Sequence, residues 1–174
     1  MFFRDRQPEA SIWKRFRADK DKFSFVNSGE VYEAHVVASA ERVVDLFHAL
    51  TEQLAPAVDL AINDLGGQQS WKAESLALPD VRDGIARLKT PLATYGGVEF
   101  AVYSSEDQLT LTPYLELFIF ARTDRWLYLL QGKGLQQEEG SLPVRKWREK
   151  QFDPAPELQN ALGLVTERLN LTSL

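Results

Sequence analysis

Two amphipathic helical patterns set among runs of alternating apolar residues predict an α+β fold with a mainly antiparallel sheet. The helical patterns are Val43, Phe47, Leu50, Leu54 and Val81, Ile85, Leu88, Leu92, each spaced i, i+4, i+7, i+11. The alternating runs fall near residues 31–38, 58–63, 70–76 and 98–102, separated by glycine pairs and prolines. A chain of 174 residues, 44% of them hydrophobic, suits one domain spanning 1–174. At that size roughly 70% of the unfolded surface is buried on folding.

The first alternating run places Val31, Glu33, His35 and Val37 on one face of a strand and Tyr32, Ala34, Val36 and Ala38 on the other. Ser39 then caps a helix from Ala40 that stops near Pro56; its hydroxyl can accept from an otherwise unpaired first-turn N–H. Val58, Leu60 and Ile62 begin a hairpin that turns through Asp64-Leu65-Gly66-Gly67-Gln68-Gln69 and returns along Ser70 to Leu76. Pro79-Asp80 opens the second helix, where Gly84 costs about 1 kcal/mol relative to alanine; packing must therefore hold it. Gly96-Gly97 ends this segment, and Val98, Phe100 and Val102 form a further strand. The order strand, helix, strand, strand, helix, strand over residues 31–103 resembles the ferredoxin-like βαββαβ unit. That resemblance concerns fold alone and carries no function.

Further strands are expected toward the C-terminus. Leu109, Leu111, Leu115, Leu117, Ile119 and Ala121 share one parity, while Phe118 and Phe120 make the other parity apolar too. Such a strand belongs inside a sheet covered on both sides, and Pro113 implies a bulge, an edge or a break between two strands. After Thr123-Asp124, the alternation of Trp126, Tyr128 and Leu130 predicts another strand. Residues 132–155 read as irregular, and Leu158, Ala161, Leu162, Val165 and Leu169 mark a last helix over 156–171. The resulting layout is a basic helical extension over 1–28, a core over 29–131 and a C-terminal extension over 132–174.

The absence of cysteine removes disulfides, thiolate chemistry and cysteine-ligated metals, and two histidines are too few for a histidine-rich metal site. No metal and no cofactor are expected. The N-terminus lacks the apolar core of a secretory signal, and the most apolar run, Tyr114 to Ala121, already contains Glu116. No membrane partner is expected, and the cytoplasm is the default location. The net charge of −5 is unevenly spread. Residues 1–22 and 143–151 each carry +3, leaving −11 on the remainder. Trp13, Arg15 and Arg17 in the first basic segment, and Arg145, Trp147 and Arg148 in the second, are candidates for an interaction surface. An acidic body repels a phosphate backbone, so these segments are expected to pack on the chain's own acidic surface, not on nucleic acid.

Candidate chemistry is sparse. Glu33 and His35 lie two apart on one strand face, and Glu99 on a nearby strand could join them in acid–base work. Trp71, Tyr103 and Trp126 could line a ligand pocket, although aromatics at such positions also fill cores and keep a polar tip at the rim. Gly132-Lys133-Gly134 lacks the spacing and the following helix of a Walker loop, and no G-x-S-x-G is present. The expected function is a non-catalytic binding or protein-interaction module, its partner an unknown protein or a second copy. A small-ligand binder with an aromatic pocket is the alternative, followed by an enzyme using the Glu33/His35/Glu99 group.

Overall fold

A computed structural model describes residues 21–144 and 152–174. Strands β1 (Lys22–Ser28) and β2 (Val31–Val37) form a hairpin and lead into helix α1 (Ala40–Thr51). Strands β3 (Ala57–Asp64) and β4 (Gln69–Ala77) form the next hairpin, followed by α2 (Leu78–Tyr95), β5 (Val98–Tyr103), β6 (Asp107–Leu111) and β7 (Leu117–Ala121). Helix α3 (Arg125–Gly132), strand β8 (Gln136–Glu138), helix α4 (Pro156–Arg168) and strand β9 (Thr172–Ser173) complete the order.

The fold is α+β, built on a nine-stranded sheet in the order β8-β1-β2-β7-β6-β5-β3-β4-β9. Among the described residues only the β1–β8 pairing is parallel. The ferredoxin-like order is not reproduced. Such a unit would place its first strand, here β2, beside the third and fourth, β4 and β5. Instead β2 lies between β1 and β7, with β7 and β6 separating it from β5. The succession of elements follows from local periodicity, but pairing is decided by long-range partners. Ala34 faces Ile119 and Val36 faces Leu117 across β2–β7, an apolar match between segments more than 80 residues apart.

One face of the sheet carries the core. Ala34, Val36, Leu60, Ile62, Phe100, Val102, Leu109, Leu111, Leu117 and Ile119 are of one facing and pack with Val43, Phe47, Leu50, Ile85, Leu88 and Leu92 from α1 and α2. Phe47 meets Phe100 edge-on with centroids 5.6 Å apart. Ser39 accepts from the Arg42 N–H at 3.4 Å, the expected cap of α1. Gly84 explains its own presence in α2. A Cβ there would lie 3.0 Å from Val165 Cγ1 and 3.4 Å from Leu169 Cδ1, so the missing side chain is the seat of α4. Tyr95 Oη donates to Glu157 at 2.9 Å and fixes the opposite end of the same helix pair. Gly97, at φ +78°, brings its Cα under the Phe152 ring, where a Cβ would sit 2.9 Å from ring carbons.

Three further expectations are corrected. Residues 22–28 form a full strand on β2, not part of a helical extension. The stretch Trp126 to Leu130 is helical, since a short apolar run fits either period. Trp126 and Leu130, one turn apart, are fully buried, whereas Tyr128 between them is 63% exposed. Residues 136–138 add a short strand in a segment read as irregular, and residues 172–173, past the expected helix, add another. Both are too short for hydrophobic alternation to show. The break at Pro113 falls between β6 and β7 as expected, closed by the Thr112 N–H donating to the Glu116 carbonyl at 2.8 Å.

Candidate functional site

The second face of the sheet carries the candidate acid–base residues. His35 projects from β2 beside its cross-strand neighbours Ser24 on β1 and Phe118 on β7. Its ring stacks on Phe118 at 4.3 Å and 11°. Its Nε2 bonds the Glu116 carboxylate, and the Glu116 N–H donates to Thr112 Oγ1 at 3.2 Å. His35 is 4% exposed and Glu116 fully buried. Glu33 lies two residues along β2, half-buried between Val26 and Phe120. Glu99 does not join them. It stands exposed on β5 opposite Asn63, three strands away, or about 14 Å at the usual strand spacing. Glu116 is the partner that the alternation pattern did not single out. Its signal was its position as the one charged side chain in the apolar run Tyr114 to Ala121.

This arrangement is a brace more than an open centre. The carboxylate takes up one imidazole nitrogen and Phe118 covers the ring. Two ionisable groups out of water persist only when paired and hydrogen-bonded, and the bond ties the middle of β2 to the residue just before β7.

The three aromatic candidates do not meet. Trp71 is buried on β4, its neighbour on β3 being the core residue Ile62. Trp126 is fully buried on α3, with Nε1 donating to Asp107 Oδ1 at 2.9 Å. Arg125 reaches the other oxygen of the same carboxylate at 2.7 Å and the Gln53 carbonyl at 2.9 Å. Tyr103 is exposed on the opposite face of β5. Trp13, Arg15, Arg17, Arg145, Trp147 and Arg148 lie outside the described residues. Among the described residues no group of three His, Cys, Asp or Glu side chains could hold a metal ion, and no helix is long and apolar enough to cross a membrane.

The helical side of the molecule carries a different feature. Helices α2 and α4 enclose a cleft of about 710 Å³ lined by Arg87, Ala161, Leu164, Val165, Glu167 and Arg168. Leu164 is 71% exposed there. Asp83 stands between two cations, with Arg87 Nε at 3.0 Å and Arg168 Nε at 3.7 Å. The hydrogen bond from Arg87, aided by both positive charges, holds the Asp83 carboxyl below its ordinary range. On the neighbouring helix seam, burial above all, then the Lys89 and Arg82 cations, lower the His48 imidazole below its ordinary value. Sequence periodicity marked the buried stripe of α4 but gave no reason to single out Leu164.

The sheet ends in short strands. β8 has three residues and pairs with Lys22 to Ser24 of β1, and β9 has two and pairs with Trp71 and Lys72 of β4. No protein-family model, curated protein or solved structure matches this chain.

Proposed function

We propose that this chain is a protein-interaction module that binds its partner through the helical layer and does not transform a substrate. The observation that carries this reading is Leu164, 71% exposed in the cleft between α2 and α4. A solitary surface leucine needs no explanation. This one lies in a groove whose walls supply Ala161 and Val165 for apolar contact and Arg87 and Arg168 for charged contact. Apolar centre and charged rim are the usual anatomy of an interface.

One further observation supports it. His35 and Glu116 bond each other beneath Phe118, which fits a structural role. A ligand pocket lined by Trp71, Tyr103 and Trp126 has less support, because Trp71 and Trp126 are buried in the core and Tyr103 is exposed on the other face of the sheet.

Photo-crosslinking tests the reading. A photoreactive side chain is placed at Leu164 and, for reference, at exposed Tyr128 on α3. Protein adducts forming in the source cells at position 164 well above those at 128 are the expected result. Equal yields, or none at 164, would overturn it.

A further inference from the structure

We infer that the partner seated in this cleft is a second copy of the chain, with α4 running antiparallel to its counterpart across a two-fold axis. The inference rests on the interaction reading above and names its partner. Glu157, Ala161, Leu164 and Arg168 recur at i, i+4, i+7 and i+11 along α4. At 100° per residue they form one stripe, set roughly a quarter-turn from the stripe Leu158, Leu162, Val165 and Leu169 that is buried against the body.

This outer stripe is self-complementary in a single register. A two-fold axis midway between Leu162 and Gly163 sets Glu157 opposite Arg168 of the second copy and Ala161 opposite its Leu164. Each acid then meets a base, and each large apolar side chain meets a small one, twice over. An isologous contact requires one patch to satisfy itself in this way. The antiparallel arrangement also brings the positive end of each helix dipole to the negative end of the other. A side-chain pattern of 4 and 3 residues suits the shallow crossing of packed antiparallel helices.

The charged ends are available for the contact. Glu157 uses Oε2 to accept from Tyr95, and Oε1 has no hydrogen bond among the described residues. Arg168 Nε lies 3.7 Å from Asp83, beyond hydrogen-bond distance, and its side chain is 59% exposed. Arg87, bonded to Asp83 in the same cleft, adds a second cation near the incoming Glu157. A different partner would have to supply an acid and a base in this order on an antiparallel segment, with a small apolar residue opposite Leu164; a second copy supplies all three. About 20 Å of helix makes a contact at the small end of specific interfaces, so the dimer forms at micromolar concentration and above.

Sedimentation velocity of the purified full chain from about 5 to 500 µM is the test. The expected result is a shift from monomer to dimer across that range. Leu164→Glu weakens dimerisation by about 30-fold or more, while circular dichroism confirms that the exposed position leaves the fold intact. Glu157→Arg and Arg168→Glu each weaken it by about 5-fold or more, and the two together restore it to within about 3-fold of the original. A monomer at every concentration would overturn the inference, as would a dimer indifferent to all three changes. If the chain is monomeric while position 164 still crosslinks to a protein of another mass, the interaction reading stands and self-association falls. If position 164 crosslinks to nothing, both fall.

Discussion

The two faces of this molecule use charge in opposite ways. On the second face of the sheet, His35 and Glu116 are removed from water and bonded to each other under Phe118. On the helical side, Asp83, Arg87 and Arg168 form a chain of ion pairs in which every member stays substantially in solvent. Water replaces a lost partner at the exposed cluster and cannot do so easily at the buried one. Exposed pairs accordingly contribute little, whereas deleting one member of a buried pair costs about 3–5 kcal/mol. The buried face is therefore built to hold the fold, and the exposed one remains free to exchange partners.

The largest expected effect follows from the buried pair. Glu116→Ala should lower the unfolding free energy by about 3–5 kcal/mol, read by chemical denaturation. A double-mutant cycle with His35→Ala should return a coupling energy of about 1–3 kcal/mol. Independent effects would mean that the brace is not one unit.

A smaller loss is expected at the α2–α4 seam. Gly84→Leu forces atoms into the space held by Val165 and Leu169 and should cost about 1–3 kcal/mol. A neutral outcome would mean that α4 moves aside easily, and the cleft would then have no fixed wall.

His48 gives a pH signature. Its folded-state pKa is depressed from 6.5, mainly by burial, so the folded protein resists protonation that the unfolded chain accepts. The associated stability is present above 6.5, the unfolded value, and is lost as pH falls through the folded value. His48→Gln should flatten the stability profile on the acid side of neutrality; an unchanged profile would assign that slope elsewhere.

The smallest effect on folding belongs to the exposed stripe. Leu164→Glu should change monomer stability by no more than about 0.5 kcal/mol. A larger loss would show that Leu164 supports the fold, and the contrast between the two faces would narrow.

Much of this architecture was legible from periodicity. Val43, Phe47, Leu50 and Val81, Ile85, Leu88 marked two helices because a helix buries residues three and four apart. Pro113 located the break between β6 and β7 because proline cannot donate to a ladder. What escaped was decided by distant partners. The run Trp126-Leu127-Tyr128-Leu129-Leu130 satisfies both periods, and the Asp107 carboxylate that receives the Trp126 N–H lies nineteen residues earlier. Glu116 and His35 are 81 residues apart, a separation at which no local pattern operates. Glu99 and His35 share a face but not a neighbourhood, since two strands later in the chain than Glu99 lie between β2 and β5.

The sequence by itself determined the mixed helix–strand content, the single apolar stripe of each long helix and most turn positions, because these depend on side chains within a few residues of one another. The tertiary structure decided the strand order, the burial of His35 with Glu116 and the exposure of Leu164. Each of these depends on which surfaces meet across the chain. On α4 the stripes Leu158–Leu162–Val165–Leu169 and Glu157–Ala161–Leu164–Arg168 have the same spacing, and only the packing of α2 against the first leaves the second facing water.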